Sequence, residues 1–147
     1  KPPLRSEEDR QALIEGLLDG TLDCIATDHA PHAPHEKESP FEDAPFGVTG
    51  LETAFASCYT HLVIPGLVPL EVLVQRMTAD PAAALGLPVP TLTEGATADV
   101  AVIDLNAVER VGERGFQSKS TNSAFLGDEL TGRIVLTIAG GQVAWRM

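Results

Sequence analysis

The chain has 147 residues, of which 44% are hydrophobic and 21% are charged, and its formal net charge is −11. This composition is typical of a soluble globular protein, and so negative a chain, with its ten Lys and Arg residues scattered, excludes a nucleic-acid footprint and attraction to anionic membranes. Because no apolar run approaches the roughly 20 residues that span a bilayer and no secretory signal is visible, we expect a cytoplasmic protein.

The first half of the chain alternates helical and strand patterns. Ser6 can cap a helix over residues 7–19, which Gly20 can end. The short apolar run at residues 22–26 predicts a buried parallel strand. The two cysteines, Cys24 and Cys58, form no CxxC pair, and we predict that both are free, buried thiols.

Residues 27–50 are rich in proline, glycine and charge, and they show no apolar periodicity. So long an irregular stretch in a compact protein is usually a functional loop or lid. We therefore predict a functional loop here, mobile between Ala33 and Pro45 when no ligand is bound.

Further helices and then strands are predicted after this loop. The expected helices cover residues 50–62, with Leu51 on the buried face, 69–78, with Pro69 in the first turn, and a short segment capped by Asp80 and stopped by Gly86. Strands are predicted at residues 98–105, 133–138 and 142–146, the last two joined by a Gly-Gly hairpin turn. We expect two units, residues 1–88 and 89–147.

Asp28 directly follows the predicted strand at residues 22–26 and begins the long loop. In parallel α/β barrels, the catalytic groups lie at the carboxyl ends of the strands. Asp28 is therefore a candidate catalytic carboxylate, and the alternative is a turn former or helix cap.

Three histidines follow at a spacing of three: His29, His32 and His35. Ala-Pro pairs between them favour an extended path that rises about 3.1 Å per residue, which separates successive histidines by about 9 Å. One zinc ion, whose ligand atoms lie about 2.0–2.1 Å away, does not hold all three unless the loop turns back sharply. His32 remains either an exposed loop residue or a site residue, and we expect ordinary roles for His35 and His61.

Residues 26–32 (Ala-Thr-Asp-His-Ala-Pro-His) and residues 44–52 (Ala-Pro-Phe-Gly-Val-Thr-Gly-Leu-Glu) resemble the bacterial type of dihydroorotase. Residues 2–5 (Pro-Pro-Leu-Arg) and 94–100 (Glu-Gly-Ala-Thr-Ala-Asp-Val) are also similar to that family. The resemblance implies an α/β fold: the last βα units of a (β/α)8 metal-dependent hydrolase barrel, followed by the C-terminal part of a small β domain. The strand before Asp28 would be the eighth barrel strand.

The resemblance also implies a reaction, the reversible cyclisation of N-carbamoyl-L-aspartate to dihydroorotate in pyrimidine biosynthesis. It implies one or two zinc ions and a zinc-bound hydroxide as nucleophile. Asp28 would bind the metal and carry the proton from the attacking water to the departing ring nitrogen. His32 would contact the substrate carboxylate, and the backbone at Phe46 and Gly47 would hydrogen-bond the substrate ring.

Two departures from the family pattern affect this interpretation. Lys1 stands where the family usually has a substrate-binding Asn, and the His-x-His metal ligands do not occur in this chain. We therefore expect a C-terminal portion that is inactive without the N-terminal half of the same enzyme. The other expected partners are the small-molecule substrate, a second copy in a homodimer, or aspartate carbamoyltransferase.

Two alternatives to dihydroorotase activity remain. One is a related cyclic-amide hydrolase that acts on hydantoins, dihydropyrimidines or allantoin. The other is a non-catalytic scaffold for aspartate carbamoyltransferase, against which the presence of Asp28 and His32 argues.

Overall fold

The computed structural model describes residues 5–147, so Lys1 and the motif at residues 2–5, except Arg5, lie outside the described residues. Helices come first along the described chain, and strands follow. The helices are α1 (Glu7–Asp19), α2 (Pro34–Lys37), α3 (Ala54–Cys58), which continues as a π-helical segment (Tyr59–Val63), α4 (Leu70–Met77) and α5 (Ala79–Ala84). The strands β1 (Val100–Arg110), β2 (Glu129–Ala139) and β3 (Gln142–Arg146) form an antiparallel sheet in that order.

Helix α1 has the predicted bounds because both of its ends are set locally. The Ser6 hydroxyl accepts a hydrogen bond from the Asp9 backbone N–H at 3.2 Å, and the Asp9 carboxylate accepts one from the Ser6 N–H at 3.2 Å. Gly20 closes the helix in the left-handed conformation, with φ of 88°. Ile14 and Leu17 are buried on the inner face of the helix.

The prediction of a regular buried strand at residues 22–26 is wrong for the part of the chain that the structure describes. A strand needs a neighbouring strand to take up its backbone groups, and here the Ile25 N–H bonds to the carbonyl of Arg76 at the end of α4. Cys24, expected to be buried, is exposed on this unpaired segment. Cys58 is half-buried, and burial raises the pKa of its thiol.

The helix predicted over residues 50–62 begins four residues later, at Ala54, and changes to π-helical geometry at Tyr59. Its expected first turn is held by contacts with other parts of the chain. His29 Nδ1 accepts hydrogen bonds from the Gly50 and Leu51 N–H groups, both at 3.2 Å. Leu51, expected on the buried face, is therefore in a turn and exposed.

Asp80 does not cap a helix as predicted but lies inside α5. Its carboxylate accepts hydrogen bonds from Arg76 Nη1 at 2.6 Å and Gln75 Nε2 at 3.0 Å. Pro69 precedes α4 rather than occupying its first turn. Arg76 also donates to the Leu17 carbonyl through Nε and Nη2, both at 3.0 Å, and so ties α4 to the end of α1.

The predicted hairpin between β2 and β3 is confirmed, with φ of 55° at Gly140 and 80° at Gly141. Strands β1 and β2 extend further than the sequence pattern indicated, to Arg110 and back to Glu129. The α3 and π-helical segments pack on β2 at a glycine, where Gly132 leaves room for the Phe55 and Tyr59 rings.

Every described helix precedes residue 88 and every described strand follows it, whereas the division into two domains there stays a prediction. Within residues 5–147, no helix is both long enough and apolar enough to cross a membrane.

Candidate active site

Asp28 has an exceptional backbone. Its φ of 45° is left-handed, and no other non-glycine residue between 5 and 147 shares a positive φ. Asp and Asn tolerate this region better than other side chains, but it still costs about 1–3 kcal/mol and persists only where the surroundings impose it. The side chain is exposed, and its carboxylate hydrogen-bonds no described residue. It is therefore free to bind a ligand.

The next residue, His29, fixes both ends of the loop. It forms a parallel bridge with Val48, and the Ala30 N–H donates to the Val48 carbonyl at 3.0 Å. Its Nδ1 accepts from the Gly50 and Leu51 N–H groups, so this nitrogen carries no proton and has no lone pair left for a metal. His29 is thus a structural residue.

His32 contacts Phe46, and both are predicted site residues. Such a contact is expected if the two residues belong to one site. The His32 Nε2 lies 2.9 Å from the Phe46 carbonyl oxygen. Because a carbonyl can only accept, Nε2 carries the proton and donates it. The other ring nitrogen, Nδ1, faces the Glu36 carboxylate at 3.6 Å and is the one left for a ligand.

Gly47 is buried against Ala30 and His32, with φ of 115°. A Cβ at this position would lie 2.4 Å from Ala30 Cβ and 3.4 Å from His32 Nε2. Only glycine fits there without a shift of the backbone. Next to it, the Phe46 side chain is 63% exposed, so this residue contributes its main chain to the loop interior and its ring to the surface.

The loop contains a short helix that its composition did not predict, whereas its mobility without ligand stays a prediction. Helix α2 begins after Ala33, whose N–H donates to the Glu36 carboxylate at 2.7 Å. This hydrogen bond is the main reason that the pKa of Glu36 is lowered, with the neighbouring His32 and His35 adding to the effect. The end of α2 then places Lys37 against the carbonyls of residues 45 and 47.

Sequence reasoning missed Lys37 and Asn122, both of which donate to the Gly47 carbonyl. The only available signal for Lys37 was that it is the single lysine of the loop. Asn122 had no signal, because it lies 75 residues away from Gly47 in the chain. His35 and His61 are exposed, as expected, and His61 stacks on Phe125.

The described residues contain no group of three His, Cys, Asp or Glu side chains that could hold a metal ion. His29 and His32 each point one ring nitrogen at the main chain. A catalytic zinc ion takes about three protein ligands. Asp28, with its free carboxylate, can supply one such ligand.

Comparisons with known proteins identify the family. Residues 1–144 match the profile of the Amidohydrolase family. The chain is 52% identical over 145 residues to the dihydroorotases of Bacillus cereus (strain AH820) and Bacillus anthracis (strain A0248), a match that covers 99% of this chain and 34% of each of those proteins. The chain thus spans about a third of the length of these curated relatives, and its predicted resemblance to dihydroorotases is confirmed.

Solved structures of related enzymes share the fold. The L-hydantoinase (dihydropyrimidinase) of Arthrobacter aurescens superposes with a TM-score of 0.88 and 36% identity, over 99% of this chain and 33% of that one. The dihydropyrimidinase of Brevibacillus agri gives a TM-score of 0.89 at 22% identity over the same shares, which supports the fold alone. The predicted mixed α/β class is confirmed, and the chain belongs to the amidohydrolase family.

Proposed function

We propose that this chain forms one corner of the active site of a dihydroorotase, which interconverts dihydroorotate and N-carbamoyl-L-aspartate in pyrimidine biosynthesis. The observation that carries the proposal is the loop itself. A free carboxylate on a left-handed backbone, Asp28, stands beside a loop in which His32, Phe46 and Gly47 touch one another. The 52% identity to dihydroorotases extends over this segment and supports the same assignment.

The finer fold assignment belongs to the same proposal. Residues 1–88 would be the last βα units of a (β/α)8 barrel, and residues 89–147 a segment of a small β domain. The likeness to hydantoinase structures over 99% of the chain supports it. Residues 22–26 would gain their missing strand partners from the remainder of the enzyme.

Zinc, as one or two ions, is the proposed cofactor, with Asp28 as one ligand and the others outside this chain. Such an ion would polarise the amide carbonyl and make the attacking water more acidic. Asp28 would take a proton from the attacking water and return it to the ring nitrogen as the amide bond breaks. One oxygen of the carboxylate would bind the metal, and the other is left for both transfers because the carboxylate hydrogen-bonds no described residue.

His32 and the 46–47 main chain would bind the substrate. With Nε2 held by the Phe46 carbonyl, His32 offers Nδ1 to a substrate carboxylate. The Glu36 carboxylate, 3.6 Å from Nδ1, lies beside the position that such a ligand would take. We further propose a cytoplasmic enzyme that assembles with its N-terminal half, and as a homodimer or with aspartate carbamoyltransferase.

A related hydantoinase or allantoinase is the second candidate, because the solved structures that share the fold include hydantoinases. The identity to the Arthrobacter enzyme is 36%, against 52% to the dihydroorotases, and we therefore favour dihydroorotase. The scaffold alternative is less favoured because the Asp28 carboxylate and the His32 contact are both present.

The test is a comparison of substrates with the full-length protein that contains this chain. Turnover of dihydroorotate and carbamoyl aspartate should exceed that of hydantoin and allantoin by at least about a hundredfold, because a site that hydrogen-bonds a specific polar group discriminates against analogues lacking it by about 10⁴-fold or more. Turnover of hydantoin alone would reject the proposal. Absence of all turnover, together with binding to aspartate carbamoyltransferase, would favour the scaffold.

A further inference from the structure

Lys37 bridges two carbonyls of the loop that contains Phe46 and Gly47. Its ammonium donates to the Pro45 oxygen at 2.9 Å and to the Gly47 oxygen at 2.7 Å, in a half-buried setting. A lysine that points at solvent would contribute little to a loop of this kind. Here the cation spans the turn and fixes the orientation of two peptide units at once.

A second donor reaches the same carbonyl from a distant part of the chain. Asn122 Nδ2 donates to the Gly47 oxygen at 3.3 Å, while the Asn122 main-chain carbonyl accepts from the Thr49 N–H at 3.1 Å. The hydroxyl of Ser120, which is 4% exposed, bonds to Asn122 Oδ1 and fixes the amide orientation. The Gly47 carbonyl is therefore held between two side chains from different parts of the fold.

These contacts determine which main-chain group is left for a ligand. The Phe46 carbonyl is taken by His32, and the Gly47 carbonyl by Lys37 and Asn122. The Gly47 N–H hydrogen-bonds no described residue, although Gly47 is buried. Buried N–H groups without a partner are rare in native proteins. The His32 bond to the carbonyl of the same peptide unit also strengthens this N–H as a donor.

We propose that Lys37 and Asn122 are positioning residues: by holding the Pro45 and Gly47 carbonyls, they fix the peptide units on either side of the Phe46–Gly47 peptide, so that the Gly47 N–H donates to a carbonyl or carboxylate oxygen of the substrate. The inference rests on the proposed function, and it adds the direction of the hydrogen bond and the residues that set it. Lys37 and Asn122 do not touch the substrate. They occupy the neighbouring Pro45 and Gly47 carbonyls and keep the Gly47 N–H directed at the substrate.

The experiment compares variants of the full-length protein that contains this chain, with dihydroorotate as the probe. Lys37→Met removes both donated bonds at similar side-chain length, and Lys37→Arg keeps the charge and the donors. Asn122→Asp keeps the acceptor for Ser120 but replaces the donor that faces the Gly47 carbonyl. Lys119→Met is the matched control, because Lys119 is exposed and makes no hydrogen bond among residues 5–147.

We expect Lys37→Met and Asn122→Asp each to raise KM about tenfold and to change kcat less than about threefold, as the loss of one ground-state hydrogen bond predicts. Lys37→Arg should recover at least part of the loss, and Lys119→Met should match the wild type. The double variant should lose less than the product of the two single effects, because both donors act on one peptide. An unchanged KM in Lys37→Met, or equal losses in Lys37→Met and Lys119→Met, would overturn the proposal.

Hydrogen exchange of the ligand-free protein separates this inference from the proposed function. Amides of residues 46–49 should exchange faster in Lys37→Met than in the wild type or in Lys119→Met, whichever substrate the enzyme uses. Identical exchange in all three proteins would reject the positioning role. A wild-type protein that does not turn over dihydroorotate would reject the proposed function, while the exchange comparison still decides whether Lys37 orders the loop.

Discussion

A methyl group at position 47 should disrupt the candidate site more than any other change of one carbon atom in the loop. With φ of 115°, Gly47 has a backbone that an L-residue adopts only at a cost of about 1–3 kcal/mol. The added Cβ would lie 2.4 Å from Ala30 Cβ, which cannot rotate away because it is bonded directly to the backbone. Such overlap costs about a further 1–3 kcal/mol. Gly47→Ala should therefore lower the local opening free energy by about 2–6 kcal/mol in total.

The two contributions can be separated by a second substitution. Ala30→Gly removes the overlapping methyl group but leaves the strained φ at position 47. The pair should therefore recover about 1–3 kcal/mol of the loss caused by Gly47→Ala alone. The reporter is hydrogen exchange of the amide at position 30, which donates to the Val48 carbonyl in the wild type.

Gly66→Ala is the matched control for the backbone contribution. Gly66 has φ of 77°, and a Cβ there would meet no atom within 4 Å. This variant should lower the local opening free energy only by the cost of the strained backbone, about 1–3 kcal/mol. The measurement is hydrogen exchange of the Leu67 amide, which donates to the Leu62 carbonyl. The reasoning is refuted if Gly47→Ala costs no more than Gly66→Ala, or if Ala30→Gly recovers nothing.

Three further predictions concern carboxylates. Asp28→Asn keeps a residue that tolerates the left-handed backbone, so turnover by the full-length protein should fall at least about a hundredfold with little change in Tm; turnover within tenfold of the wild type would contradict the proposed role. The Glu36 carboxylate accepts the Ala33 N–H, and the pKa of Glu36 is lowered. This hydrogen bond therefore stabilises the folded loop fully above pH 4.5, the ordinary pKa of Glu, and the stabilisation is lost as the pH falls through the lowered pKa. Exchange of the Ala33 amide, corrected for its intrinsic rate, should therefore accelerate at acid pH in the wild type but not in Glu36→Gln. The Glu52 carboxylate accepts hydrogen bonds from two backbone amides, and Glu52→Gln leaves an acceptor for only one of them. The free energy of unfolding, measured by thermal denaturation, should therefore fall by about 1 kcal/mol. The exposed Glu94→Gln is the control and should leave it unchanged.

Local chemistry was enough to predict part of this fold. Helix α1 begins at a side-chain cap and ends at a glycine, and both signals lie within a few residues of the helix they bound, at Ser6 and Gly20. The hairpin at Gly140 and Gly141 is of the same kind, since two adjacent glycines supply both positive φ angles. At these two places the sequence pattern and the structure agree to the residue.

Distant contacts explain the elements that the pattern placed wrongly. The helix expected from residue 50 begins at Ala54 because His29 holds the preceding amides, 21 and 22 residues away in the chain. The Glu52 carboxylate is likewise taken by the amides of Gln117 and Ser118, 65 and 66 residues away. Periodicity within a window of residues carries no information about such partners.

The same distinction applies to the candidate site. Asp28, His32, Phe46 and Gly47 could be named from the sequence because a family motif runs through them, and the contact between His32 and Phe46 is consistent with a shared role. The direction of the hydrogen bonds could not be named. Which carbonyls are taken depends on Lys37 and Asn122, and neither belongs to the motif.

The parallel bridge between His29 and Val48 brings the two unusual backbones of the loop to the same end of one pairing. Asp28 immediately precedes one bridge partner and Gly47 immediately precedes the other, and both have positive φ. Because both chains run in the same direction in a parallel pairing, the residues that precede the two partners lie at the same end of it. A free carboxylate and an unpartnered N–H therefore reach one end of a single bridge, held by the hydrogen bonds of His29 and Lys37. A rigid frame of this kind suits a substrate whose ring must stay fixed while a proton moves beside it, and for that reason we expect loosening of the frame to affect binding before chemistry.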